Sequence, residues 1–390
     1  MNAGHSALAT TSLSERTSFI ELRKAAARHL PALDGVRGVA ILVVLWHRFN
    51  LYSTHTPLGR ALDRGAALGY IGVQLFFVLS GFLITGILLD SQTAPNYLSS
   101  FFGRRVLRIF PLYYGTLFAG LVLLPLLSGG SSQAGEAPWL WLFLSNWPKD
   151  ADRGFPHFWS LAVEEQFYFV WPFVVRTLGT RRLIRLCAAL VVISFISRSA
   201  SRALGVDPEQ VYTWTICRMD ALASGAAVAA LVRSAEDYAR LQRFWKPLVA
   251  GTLLLTLAVF VMTHGDERTR ISTQTIGYTT LSITFAVLVA VLVRAEAKNS
   301  HGPLETIFRA APLRTLGKYS YAAYVFHVPV HHLMVHYWPH ANDADGLMPL
   351  RALAFAAIAT LVTFCAAVAS YHLFEKHFLA LKKYFSVRKS

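Results

Sequence analysis

Charged residues are scarce in this sequence. Lys, Arg, Asp and Glu make up 15% of its 390 residues, against about 25% in ordinary soluble domains. The shortage comes from long uncharged stretches, which argues against a water-soluble globular chain and for a membrane protein. Acidic residues are the rarer sign, 22 against 37 basic, and the net charge is +15. Such an excess is also found in nucleic-acid binders. In a chain with long apolar runs it fits basic loops on the cytoplasmic side, and no nucleic-acid partner is expected. Cysteine is nearly absent: Cys187, Cys217 and Cys365 lie in apolar stretches with no paired spacing. Neither a disulfide framework nor a zinc site is indicated. A cleavable signal peptide is missing too. The first apolar run starts near Leu33 behind a polar, basic tail, with no small-residue cleavage site after it, so it reads as an uncleaved first helix. There is no internal repeat, low-complexity block or soluble domain.

What the sequence has is apolar runs of membrane-crossing length. Apolar residues make up 54% of the chain and the mean hydropathy is +0.42. Ten runs are long enough to cross a bilayer: 33–51, 68–89, 109–128, 158–177, 184–203, 213–232, 247–264, 274–293, 316–338 and 349–371. The expected fold is therefore all-α, a polytopic bundle of about ten transmembrane helices. The expected organisation is a cytoplasmic tail over 1–30, mobile up to about Arg28, a membrane domain over 31–378 and a basic cytoplasmic tail over 379–390. The short stretch from Trp139 to Trp147 is too short to cross and rich in Trp, which favours the membrane interface.

The positive charges test this layout. With the N-terminus in the cytoplasm, 25 Lys and Arg fall on that side and nine opposite, with Arg198 among the nine; Arg37, Arg48 and Arg218 remain inside spans. Every cytoplasmic loop is basic, which supports an even number of spans and both termini inside.

Ionisable side chains in a lipid-facing position cost at least about 2.5–3.5 kcal/mol, so those inside spans face the bundle interior and usually act there. His47 lies ten residues after Arg37, about 15 Å along a helix. A neutral imidazole at membrane depth suits a general base for a hydroxyl acceptor, or packs against a neighbouring helix. Glu164 and Glu165 are adjacent carboxyls in an apolar span and point about 100° apart on a helix. Counted from the span ends, they share the outer half with His47, and a base with its orienting carboxylate is expected there; an ion pair with Arg37 or Arg218 is the structural alternative. Arg104, Arg105 and Arg108 stand just before the third span, where arginines bind phosphates, fix topology or meet lipid headgroups. Arg218 and Asp220 are two apart and need separate partners. The glycines of the second span, Gly69, Gly72 and Gly81, with Ser80, favour close helix packing. His332 and His336 have metal-ligand spacing without an evident third ligand, so no metal site is expected.

Taken together these segments resemble the acyltransferase 3 family of bacterial membrane acyltransferases. The resemblance rests on Leu33-Asp34-Gly35-Val36-Arg37-Gly38 with His47, and on Phe76-Phe77-Val78-Leu79-Ser80-Gly81-Phe82. It continues with Arg104-Arg105-Val106-Leu107-Arg108-Ile109-Phe110-Pro111, and with Trp159-Ser160-Leu161-Ala162-Val163-Glu164-Glu165-Gln166-Phe167-Tyr168. It ends with Arg218-Met219-Asp220-Ala221-Leu222, Ser320-Tyr321 with His327, and Glu375. They run in the family's order over about residues 31–378. The resemblance implies transfer of an acyl group, usually acetyl, from cytoplasmic acyl-CoA to a hydroxyl of a surface polysaccharide, lipopolysaccharide or related glycan, in the bacterial inner membrane. Some members modify macrolides or other small molecules. It makes His47 the leading catalytic residue, Arg37 a donor-side partner, and Arg104, Arg105 and Arg108 CoA contacts; Glu164 and Glu165 are expected to be catalytic with His47 from their place in the span. It also marks Trp159, Ser160, Arg218, Asp220, Tyr321 and His327 as substrate-binding candidates. Acyl-CoA is then a donor substrate and no cofactor is permanently bound; the other partners are a glycan or lipid-linked glycan and membrane lipids. Two departures stand out. Nine residues separate Arg37 from His47 where the family usually has ten, which turns His47 about 100° from the usual offset. Many relatives carry a C-terminal hydrolase-like domain that this sequence does not show, so direct transfer to the acceptor, or to a separate partner, is expected. The competing class is a secondary transporter, but the two similar halves or matched broken helices of many transporters are not seen.

Overall fold

The computed structural model describes residues 13–51, 55–132, 135, 137–148, 154–263, 268–299, 302–338 and 348–388. Among them the regular elements are all helical. The chain runs through α1 (Leu13–Ala27), α2 (Pro31–Arg48), α3 (Pro57–Ala67), α4 (Tyr70–Asp90) and α5 (Tyr97–Phe118). After a π turn over Ala119–Leu123 and one turn over Pro138–Trp141 come α6 (Phe158–Thr177), α7 (Thr180–Ala203), α8 (Pro208–Thr213) and α9 (Thr215–Leu231). Then follow α10 (Ala235–Arg243), α11 (Trp245–Thr263), α12 (Tyr278–Ala297), α13 (Pro303–Arg309), α14 (Ala311–Tyr337) and α15 (Pro349–Ser370). The chain ends in a π turn over Tyr371–Glu375, α16 (Lys376–Ala380) and a 3-10 turn over Leu381–Phe385.

Each of the ten expected spans falls on one of these helices. Six helical stretches are long and apolar enough to cross a membrane, and up to eight if two bent pairs each count as one span. Helices α6 and α14 fall outside that set; they are the ones that carry Glu164-Glu165-Gln166 and four of the histidines. Helix α5 starts at Tyr97, well before the expected 109, so its arginines sit on a continuous helix rather than in a loop.

Glycine brings the central helices together. A Cβ on Gly35 or Gly38 of α2 would run into the backbone of Phe308 or Leu313, and one on Gly317 of α14 into the backbone of Asp34. Helices α4 and α9 are matched the same way: Gly81 abuts Leu222, and Gly225 abuts Val78. Close approach at small residues is how helices gain dispersion contact where lipid supplies no hydrophobic drive, as the glycines of the second span led one to expect.

Two expectations fail here. The tail to Arg28 is not mobile over its described part: Leu22 and Ala25 of α1 are buried, the Phe19 and Tyr238 rings pack at 6.1 Å, and Arg233 donates to the Ala26 carbonyl. Residues 1–12 lie outside the described residues. Arg198 is no loop charge either. It is fully buried on α7 and pairs with the equally buried Asp220 of α9, Nη2 to Oδ2 at 2.8 Å. Its position near a span end made it look like a solvated charge, but its side chain reaches into the bundle and donates to the Cys217 carbonyl and to Thr279.

Candidate functional site

Helix α2 connects two cavities. Arg37, in its second turn, lines a cavity of about 430 Å³, and His47, at its far end, lines another of about 720 Å³. His47 lies ten residues beyond Arg37 along the helix, about 15 Å. Val73 of α4 and Tyr324 of α14 line both cavities.

The first cavity is cationic. Arg104, Arg105 and Arg108 line it with Arg37, and Lys382 joins them from beyond α16. On α5 the three arginines fall at i, i+1 and i+4, a spacing that keeps them on one side of the helix. The Arg105 guanidinium stacks 3.9 Å above the Tyr168 ring. Glu164 faces this cavity, not His47. Its Oε1 accepts from Ser80 Oγ at 2.6 Å, and its charged neighbours include Arg105 and Arg37. Tyr321 lines the same space and donates to the Ile109 carbonyl at 2.8 Å.

The second cavity is lined by His47, Arg48, His157, Trp159, His327 and His331, with Asp207, Glu209, Tyr212 and Arg268 closing it. His47 Nδ1 lies 2.9 Å from the Ala66 carbonyl at the end of α3. A carbonyl only accepts, so Nδ1 carries the proton and Nε2 keeps its lone pair. The backbone also fixes His47: a Cβ on Gly69, just before α4, would strike the His47 Cβ. His327 is held similarly, Nδ1 to the Tyr324 carbonyl at 2.5 Å, but it is buried. His157 is also buried, with Nε2 3.0 Å from the Val325 carbonyl and Nδ1 unpartnered among the described residues.

Tyr324 forms the shared wall. Its hydroxyl lies 2.5 Å from Ser160 Oγ, on the arginine side, and 3.0 Å from the His157 carbonyl, on the histidine side. Its ring packs against His157 and His327 at 5.7 and 5.1 Å.

The structure thus separates residues that the sequence placed together. Among the described residues His47 pairs with no carboxylate; it sits at the very end of α2, whereas Glu164 is two turns into α6. Glu165 lines neither cavity; its Oε1 is buried without a hydrogen-bond partner, with Arg105 and Tyr321 as electrostatic neighbours. Arg218 and Asp220 do take separate partners. Arg218 donates to Gln74 at 2.5 Å and lies among the rings of Phe77, Trp159, Tyr212 and Tyr278, while Asp220 takes Arg198. Neither lines either of these two cavities, but Arg218 braces Trp159 and Tyr212, which line the second. The sequence reading missed Tyr324, His157, Arg268 and Lys382. Tyr324 and His157 stand in the same stretches as Tyr321 and Trp159 and had a local signal; Arg268 and Lys382, in an expected loop and an expected tail, had none. Among the described residues no group of three or more His, Cys, Asp and Glu is placed to hold a metal ion.

A family model described as an acyltransferase domain matches residues 30–372. The chain is 29% identical to a protein named as a putative peptidoglycan O-acetyltransferase of Bacillus subtilis, over 90% of this chain and 55% of that one. It is 28% identical to the peptidoglycan O-acetyltransferase OatA of Listeria monocytogenes, over 78% and 49%, and 26% identical to a putative O-acetyltransferase of Staphylococcus aureus, over 83% and 53%. It spans about half the length of these curated relatives. No solved structure matches it.

Proposed function

The chain belongs to the acyltransferase 3 family, and we propose that it moves an acetyl group from acyl-CoA at the cytoplasmic face of the bacterial inner membrane to a hydroxyl of a surface glycan. One observation carries this reading: a cation-lined cavity and a histidine-lined cavity meet at the Val73–Tyr324 wall. A donor with several phosphates fits the first, because guanidinium groups bind phosphate by charge-assisted hydrogen bonds. The second has the volume and the hydrogen-bonding groups for a sugar. The names of the first two relatives favour a peptidoglycan-type acceptor. The full topology proposed with this function has ten spans, both termini in the cytoplasm, and the arginine cavity facing the cytoplasm. The uneven division of Lys and Arg supports it.

In the proposed chemistry the pantetheine arm extends from the arginines toward Tyr324 and presents the thioester there. His47 Nε2 takes the proton of the acceptor hydroxyl as its oxygen attacks the thioester carbonyl. The carbon–sulfur bond then breaks, and the thiolate takes up the proton that His47 received, giving the ester and free CoA. Glu164 in this scheme holds the arginine cluster and Ser80 in place rather than orienting the base. Glu165, off both cavities, acts on the α5–α6 contact.

The test is transfer by purified protein in lipid. His47→Gln should lower transfer from acetyl-CoA by about 10²–10⁴-fold, the usual worth of a general base, with thermal unfolding unchanged. Near-normal turnover in a stable His47→Gln protein would remove His47 from the mechanism.

A further inference from the structure

The last described residues return to the arginine cavity. The Leu381–Phe385 turn and the three residues after it lie along the start of α5. Three hydrogen bonds hold them: Ser100 Oγ donates to the Phe385 carbonyl at 3.0 Å, Asn96 Nδ2 donates to the Ser386 carbonyl at 2.8 Å, and the Arg388 amide donates to Asn96 Oδ1 at 3.0 Å. The Phe385 ring covers Gly103, where any Cβ would collide with it. Gly103 immediately precedes the arginines, so the same short stretch of α5 both clamps the segment and carries the cations. Lys382 and Val387 then line the cavity itself.

Lys382 is unusual in its surroundings. Its charged neighbours are Arg108, Arg105 and Arg104, all of its own sign. It makes no ion pair with a carboxylate among the described residues. Four cations brought this close repel one another unless an anion comes between them. Phosphate suits such a cluster, since it accepts several charge-assisted hydrogen bonds at once.

We infer that the segment Leu381–Val387 is a strap completing the donor site, in which Lys382 binds the phosphates of the acyl donor alongside Arg104, Arg105 and Arg108. This rests on the acyl-CoA reading above and adds to it a binding residue from outside the expected membrane domain. Anionic lipid headgroups share phosphate chemistry with CoA. Lys382, however, lines the cavity that runs inward to Glu164 and Tyr324, and that depth fits a donor whose phosphates are joined to a long reactive arm.

The experiment uses the full chain in nanodiscs. Adenosine 3′,5′-bisphosphate is the direct binding probe, read by calorimetry, and acetyl-CoA and acetyl-pantetheine are paired substrates. Lys382→Ala should weaken bisphosphate binding about tenfold, the scale of one charged hydrogen bond, and raise the KM for acetyl-CoA to a similar extent with kcat little changed. Use of acetyl-pantetheine, which lacks the nucleotide phosphates, should not move. Lys382→Arg should restore most of the binding, and Phe385→Ala, which loosens the strap without removing a charge, should reproduce the defect. Unchanged bisphosphate binding in Lys382→Ala would overturn the inference, as would equal losses with both substrates. Loss of co-purified anionic lipid with bisphosphate binding intact would overturn it in favour of a lipid contact. Bisphosphate binding that depends on Lys382 in a protein without transfer activity would sustain the strap and defeat the proposed function instead.

Discussion

His47, His157 and His327 are three histidines at one cavity, yet they are not equivalent. Each uses one ring nitrogen on a backbone carbonyl, which fixes the tautomer. His157 and His327 are buried; His47 is partly open to the cavity and so is the best placed to meet a hydroxyl. The sequence identified His47 through its position in an apolar span, but it could not show what held the ring: the Ala66 carbonyl comes from a short helix read as a loop. Buried charges illustrate the opposite case. Arg198 and Asp220 are each fully buried, and their pairing is structural. Removing one partner of such a pair costs about 3–5 kcal/mol, because the other is left charged and unpaired. Arg198→Met should therefore lower the thermal midpoint sharply in detergent, and adding Asp220→Leu should recover much of the loss. A double variant no more stable than Arg198→Met would show that the pair is not coupled.

Six of the expected spans, or eight with the two bent pairs, were legible as helices from apolar length. Their ends were not. The arginines at the start of α5 were read as a loop because hydropathy falls there, whereas the helix continues through them and turns all three toward one cavity. That Glu164 faces the arginines rather than His47 was not legible either, since it depends on which face of α6 turns toward the arginine cavity. Glycine spacing was the more reliable signal. Gly81 and Gly225 set the separation of α4 and α9, and α4 carries Ser80 and Val73 to the cavities. Gly81→Leu should push these helices apart at an overpacking cost of about 1–3 kcal/mol and reduce transfer as well as stability. An unaltered unfolding midpoint would mean that the α4–α9 contact gives way easily at this point.

The two cavities divide the bundle between two ends. One end of the bundle gathers arginines and a lysine, the other histidines, and Tyr324 stands between them. The sidedness is an expectation from the charge distribution; the division into two cavities was not legible, since it depends on which face of each helix turns inward. The proposed chemistry requires donor and acceptor to approach from opposite faces and meet at the Tyr324 wall. The most direct measurement uses proteoliposomes of one known orientation, with acetyl-CoA confined to the face bearing the arginine cavity and a glycan acceptor confined to the other. Acetylated acceptor should accumulate, and His47→Gln vesicles should make about 10²–10⁴-fold less. Transfer only when both substrates share one compartment would contradict the transmembrane account.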